Sequence, residues 1–307
     1  MNRKLVNIIL LIAFSSGLFL FGLSKMALTD PDEPFYAETA KEMLERREWL
    51  TPRIFGEPQF EKPPLYYWLV ILSFKTFGIN EFAARFPSAV FGILGVIGVY
   101  LLGSLLFSEK TALYSSLISA TAIEYIILAR ASVTDMVLCV LILYTFLFYL
   151  HAYLRQDKKL FYLFASFSLG LAVLTKGPVG IILPVFIVGL YLFIQKDLKA
   201  VLRFPIISGT IVFLVIAVPW YYLMYKVHGS AFTEHFFGFQ NITRFLEPEH
   251  RIGDVAYYYI PIVLGGFFPW SIFLPCGVYQ IIKKDRGEFK KHLFLVIWIL
   301  VFFIFFS

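Results

Sequence analysis

Nine stretches of this chain are apolar for long enough, or nearly so, to cross a lipid bilayer, and that feature excludes a water-soluble fold. A bilayer core about 30 Å thick needs roughly 17–25 apolar residues per helix. Residues 5–23, 86–107, 111–129, 136–154, 160–175, 178–194, 204–223, 256–281 and 293–307 meet or approach that length. In hydrocarbon every backbone polar group must be satisfied within the protein, so runs of this length fold as helices. The composition agrees: 59% of residues are hydrophobic and 16% charged, against about 45–50% and about 25% in soluble chains. The expected fold class is an all-α polytopic membrane protein with about nine transmembrane helices.

Several chemistries are set aside at the same step. Cys139 and Cys276 both fall in apolar runs, which leaves no disulfide framework or cysteine-based zinc site. No Walker-type loop, GxGxxG or HExxH occurs, and the net charge of +6 reflects membrane orientation rather than a nucleic-acid partner.

Charge asymmetry sets the sidedness. The first window follows Arg3 and Lys4 without a small-x-small cleavage site, so it reads as a retained anchor. Residues 65–79 are apolar but short and contain Lys75. If they do not cross, loops 1–4, 108–110, 155–159, 195–203 and 282–292 share one face, with fourteen basic residues against five acidic. The rest of the chain holds thirteen basic and sixteen acidic. The face dense in Lys and Arg is expected to be cytoplasmic. That places the N-terminus inside and makes 65–79 a helix that dips into the outer leaflet or lies along it. The outer face then receives the 24–85 loop, the 130–135 turn, Lys176 and the 226–253 loop. The last apolar run, 293–307, stops without a polar cap, which predicts that the sequence is a truncated product or one part of a longer protein.

The outer segments hold the polar residues with chemical potential. Asp32-Glu33-Pro34 opens a helix; its two carboxylates either cap the free amides or stand at headgroup depth as functional groups. Tyr36, Ala40, Met43 and Leu44 recur at helical spacing and predict an amphipathic helix able to lie in the interface. Glu61-Lys62-Pro63-Pro64 presents a carboxylate and an ammonium on stiff backbone, or forms a solvated pair. Arg130, Asp135 and Lys176 are ionisable groups at the edge of hydrocarbon, where function is the default reading; a cap, a local ion pair or snorkelling is the alternative. Arg244 either pairs with a phosphate or anchors at the interface. His228, His235 and His250 fit no compact metal spacing and read as solvated loop residues. Tyr36, Tyr66, Tyr67 and Trp68 read as interfacial anchors, with lining of a substrate path as the alternative.

Five motifs occur in a fixed order: DPDEPFYAETAKEML at 30–44, PQFEKPPLYYW at 58–68, ARASVTD at 129–135, LTKGP at 174–178 and NITRF at 241–245. Together they resemble the GT-C membrane glycosyltransferases of the aminoarabinose-transferase and protein-mannosyltransferase superfamily. The likeness covers essentially the whole chain, 1–307, as an N-terminal transmembrane module. It implies a bundle with interfacial helices in the first outer loop, and transfer of a sugar from a polyprenyl-phosphate carrier to a lipid or other acceptor outside the cytoplasm, with inversion. By resemblance Asp32 is the catalytic aspartate and Asp135 a further acidic residue facing the site. Lys62 and Arg244 match the residues that hold the carrier phosphate, and Glu61 matches a glutamate that joins histidines around a divalent metal. Glu33, Lys176 and Arg130 complete the candidate substrate-binding set. Phe239 and Asn241 stand where histidines are common in that family, which weakens the metal expectation and any particular sugar or acceptor. A transporter or flippase is the rival reading. It calls for ionisable groups near mid-membrane and repeated, broken helices; the windows hold almost none, Glu124 excepted.

Overall fold

The computed structural model describes residues 3–29, 31–155, 159–243, 258–283 and 286–306. Its helices follow the apolar windows. Five are long and apolar enough to span: α1 (Arg3–Leu20), α4 (Glu81–Leu106), α7 (Thr134–Arg155), α8 (Lys159–Lys176) and α10 (Ile206–His228). Two more windows fold as bent pairs. α5 (Glu109–Thr121) and α6 (Ile123–Arg130) meet at 65°, and α11 (Tyr259–Gly266) meets the Trp270–Lys283 segment, which ends in α12 (Leu274–Lys283), at 110°. α9 (Val179–Ile194) and the His292–Phe306 part of α13 (Arg286–Phe306) are apolar but shorter, so among the described residues five helices, or seven with each bent pair taken as one span, are long and apolar enough to cross.

The two breaks explain each other. At Ala122 the chain turns extended, freeing backbone groups that hydrocarbon cannot satisfy. The Ile123 amide donates to the Phe268 carbonyl at 3.1 Å, and Trp270 Nε1 donates to Thr121 Oγ1 at 2.9 Å. Gly266 lets the partner in, since a Cβ there would lie 2.9 Å from Glu124 Cβ. Each kink thus fills the other.

α4 is the hub. Asn80 caps it by accepting from the Ala83 amide at 2.9 Å. Its small residues permit close approach, as is usual between membrane helices: a Cβ at Gly92 would sit 2.7 Å from Ala129 Cβ, and one at Gly103 only 2.9 Å from Ala112 Cα.

Side-chain pairings sort the loops into two faces. At one end Lys4 meets Glu109 at 3.0 Å, Tyr153 donates to Asp197 at 3.1 Å, and Phe107 packs on His292 at 4.9 Å. At the other, Arg130 reaches the Phe21 carbonyl at 2.8 Å, Thr51 meets His228 at 2.9 Å, and Tyr259 lies 6.5 Å from Phe306. This is the division that charge asymmetry predicts.

The first long loop carries α2 (Asp32–Glu45), a two-residue hairpin of β1 (Arg53–Ile54) and β2 (Glu57–Pro58), and α3 (Leu65–Phe77). α3 does not cross. Tyr66 near its start bonds Ser132, at 3.2 Å, and Phe77 at its end meets Phe82 edge to face, at 5.3 Å. Trp68 and Lys75 both contact Trp49. α3 therefore begins and ends at one face. The hairpin was not apparent in the sequence; its tip is held by Glu42, whose carboxylate accepts the Phe55 and Gly56 amides. The apolar stripe of α2 is present, with Tyr36, Ala40 and Met43 buried, but it faces α3. Tyr36 packs against Tyr66 and Tyr67 at 5.4 and 5.9 Å. Tyr66 and Tyr67 are fully buried, which corrects their reading as interfacial anchors.

Candidate functional site

The site is organised by a buried pair that joins three parts of the chain. Arg85, in the second turn of α4, grips Glu33 with a two-pronged bond: Nε donates to Oε1 at 2.8 Å and Nη2 to Oε2 at 2.7 Å. The remaining donors of Arg85 bind the carbonyls of Leu23, Met26 and Ala27 at 2.7–3.1 Å. Glu33 in turn accepts the Ser132 amide at 2.7 Å. Charge-assisted bonds of this kind are the strongest a protein makes. Burial pushes the Glu33 carboxyl up, but Arg85 and the Ser132 and Thr29 amides together hold it below the ordinary carboxylate range. The exit of α1, the start of α2 and the turn before α7 are locked into one register.

That register brings the expected acids together. Asp32 is the first residue of α2, Asp135 the second of α7. Burial first, then the charges of Asp135 and Asp32, push the Tyr36 hydroxyl well above its usual range. Glu33 and Asp135 act likewise on Tyr66, and Glu61 on Tyr67, again after burial. Tyr66 is fixed by Ser88 at 3.0 Å and Ser132 at 3.2 Å. Lys176, the last residue of α8, points its ammonium at Asp135, with Nζ to Oδ1 at 2.6 Å. It does not simply snorkel. Lys62 stands beside Glu61, half-buried, just before α3. The Glu33–Ser132 bond sets the start of α2 against the turn before α7, so Asp32 and the Asp135–Lys176 pair share one end of the bundle with the cluster of Tyr36, Tyr66 and Tyr67.

Other expected residues are placed differently. Glu33 has both oxygens committed to Arg85 and backbone amides, so it neither caps α2 nor faces a substrate; it positions its neighbours. Arg130 donates to the Leu18 and Phe21 carbonyls at 2.9 and 2.8 Å and closes the end of α1. Arg244 and His250 lie outside the described residues. His228 ends α10 and His235 lies in the helical segment Glu234–Thr243, so neither is a solvated loop residue. Phe60 stands against both rings, 5.1 Å from His228 and 6.1 Å from His235. Among the described residues no three metal-capable side chains converge. Glu61 is therefore in no such group of described side chains.

Sequence reasoning missed Arg85. The available signal was an arginine four residues into a 26-residue apolar helix, where a charge demands a partner. A cavity of about 750 Å³ opens on the opposite flank of α2, lined in part by Pro31, Phe35, Glu38, Lys41 and Phe55. Its walls include none of Asp32, Tyr36, Asp135 or Lys176, and it is separate from the ionisable corner.

With this geometry in view, known proteins supply the frame. The sequence model of the dolichyl-phosphate-mannose-protein mannosyltransferase family matches residues 4–233. The chain belongs to that family. Among curated members, the undecaprenyl phosphate-alpha-4-amino-4-deoxy-L-arabinose arabinosyl transferase of Enterobacter sp. (strain 638) is 32% identical over all of this chain and 56% of its own length. Transferase 2 of that name from Proteus mirabilis is 29% identical over 98% of this chain and 55% of its own. The chain thus spans about half the length of the curated relatives it matches. The crystal structure of ArnT from Cupriavidus metallidurans bound to undecaprenyl phosphate superposes with a TM-score of 0.88 at 28% identity, covering 97% of this chain and 55% of that one. An Archaeoglobus fulgidus oligosaccharyltransferase shares the fold, at TM-score 0.66 and 17% identity. The GT-C bundle expected from the motifs is the fold observed, and the chain is a multi-pass membrane protein.

Proposed function

We propose that this chain is the transmembrane catalytic module of a glycosyltransferase of the cell (inner) membrane. It transfers a sugar from a polyprenyl-phosphate carrier to a lipid or other acceptor on the extracytoplasmic face. The observation that carries the reading is the corner where the bond from the Ser132 amide to Glu33 sets the start of α2, and with it Asp32, against the turn before Asp135, while Lys176 bonds Asp135 at 2.6 Å, at the end of the bundle opposite the basic loops. By the positive-inside rule that end is extracytoplasmic and the N-terminus cytoplasmic. The donor class is supported by the undecaprenyl phosphate bound to the similar ArnT.

The step follows from the charges. An acceptor oxygen attacks the anomeric carbon, the bond from that carbon to the phosphate oxygen breaks, and its electron pair leaves with the phosphate. Asp32 takes the proton of an acceptor hydroxyl, a contribution of about 10²–10⁴-fold; toward a phosphate acceptor it orients the nucleophile instead. Lys62, Lys176 and Arg244 supply the cations that offset the growing phosphate charge, most effectively where water is partly excluded. Asp135 holds Lys176 in place until the phosphate arrives. A single displacement inverts the anomeric centre.

The test is transfer by the complete protein, reconstituted in liposomes with a polyprenyl-phosphate sugar. Asp32→Asn is expected to lose at least about a hundredfold of turnover with unchanged expression and melting. Wild-type turnover in that variant removes Asp32 from the mechanism.

A further inference from the structure

The opposite end of the bundle holds a second cavity that the transfer reaction does not use. It measures about 250 Å³ and lies between α1, α4, α7 and the start of α8. Its wall is apolar along one side (Ile8, Leu101, Leu105, Phe148), and two cations stand at its mouth, Lys4 and Arg155. Lys4 shares its charge with Glu109 at 3.0 Å. Arg155 is exposed and makes no ion pair or hydrogen bond among the described residues. Ser104 lines the same mouth. These residues belong to the face whose loops are rich in Lys and Arg.

The geometry points to a binding site for one anionic glycerophospholipid of the leaflet on that face, its phosphate between Arg155 and Lys4 and a chain along Ile8, Leu101, Leu105 and Phe148. Charge complementarity selects the headgroup. A cationic groove between membrane helices on the basic side attracts anionic lipid, while a zwitterionic headgroup brings no net charge to offset Arg155. Size sets how much is held. The groove falls below the roughly 300–1,000 Å³ of sites that engulf a whole ligand, so it takes a headgroup and the start of a chain and leaves the rest in the bilayer. Occupancy would clamp α1 to α4 and α7 from below, opposite the Arg85–Glu33 lock.

Native mass spectrometry of the full-length protein, incubated with phosphatidylglycerol or phosphatidylcholine of identical chains, tests this without any transfer assay. Wild type is expected to retain phosphatidylglycerol preferentially. Arg155→Gln should weaken that retention about five-fold and the Lys4→Gln/Arg155→Gln pair about thirty-fold, leaving phosphatidylcholine unaffected. Arg155→Gln breaks no described ion pair, so folding is not at stake in it. Lys196→Gln, on the same face but outside the groove, should change nothing. Equal retention of the two lipids by wild type overturns the site. So does unchanged phosphatidylglycerol binding in Arg155→Gln, or an equal loss in Lys196→Gln, which would assign the binding to diffuse surface charge.

Discussion

Arg85→Met removes the guanidinium from a pair whose side chains are only 7% and 4% exposed, and the size of the effect can be worked out. Glu33 keeps the Ser132 amide at 2.7 Å and a longer contact to Thr29 at 3.4 Å, but loses both charge-assisted bonds and its counter-charge. Breaking a buried pair from one side costs about 3–5 kcal/mol. Three carbonyls, of Leu23, Met26 and Ala27, lose their donor as well, which places the expected loss at the upper end. Truncating both partners, Arg85→Met with Glu33→Leu, removes the stranded charge. It leaves the Ser132 amide unpaired, at about 1–3 kcal/mol, so the double variant should be more stable than Arg85→Met alone. Equilibrium unfolding in mixed micelles, read by tryptophan fluorescence, measures all the corners of the cycle. The pH profile adds an independent sign. In wild type the Glu33 carboxyl lies below its ordinary value, so its stabilisation is present above the unfolded value of about 4.3 and fades only as pH falls below that. Without Arg85, burial dominates and raises the carboxyl; the penalty is then relieved as pH falls, and the variant should gain stability relative to wild type between pH 8 and pH 5. An Arg85→Met loss under about 1 kcal/mol, or single losses that simply add in the double variant, would refute the claim that this pair fixes the register of the site.

Other consequences are more local. Lys176→Met should cost little stability, under about 1 kcal/mol, because its pair with Asp135 is 34% and 42% exposed and screened; transfer in liposomes should nonetheless fall, and an unchanged rate would sever Lys176 from the donor phosphate. Tyr66→Phe loses bonds to Ser88 and Ser132 and should lower the melting temperature, whereas Tyr67→Phe removes a buried hydroxyl that has no hydrogen-bond partner and should leave it unchanged or raise it. Gly92→Ala drives a Cβ into Ala129 at 2.7 Å and should cost about 1–3 kcal/mol in the same unfolding assay. Cysteines placed at 57 and 79, exposed positions on either side of α3, in a background lacking Cys139 and Cys276, should react with an impermeant maleimide from the same side of the membrane; labelling of the two from opposite sides would turn α3 into a crossing.

What could be read from the sequence follows from which forces are local. The bilayer imposes a length on every crossing helix, so the spans are visible residue by residue, and counting charges along 155–159, 195–203 and 282–292 is enough to keep α3 on one face. The breaks at Ala122 and near Phe268 were not visible. Each is stable only because the other supplies its missing partner, and the two lie more than 140 residues apart. The site divides along the same line. Asp32, Asp135 and Lys176 stand out wherever hydrocarbon meets water, whereas the bond between Asp135 and Lys176 depends on how α7 packs on α8. The hardest case is the adjacent pair Asp32 and Glu33, two acids of equal standing in the sequence. Consecutive helical residues point about 100° apart, so only one of them can face Arg85 and the Ser132 amide. The longer side chain takes that inward direction and becomes structural, which leaves the shorter one beside Tyr36. The assignment of Asp32 as the reacting acid therefore rests on an arginine that sequence reading passed over: had Arg85 been an apolar residue like its neighbours, nothing would hold Glu33 inward, and the two carboxylates would be interchangeable.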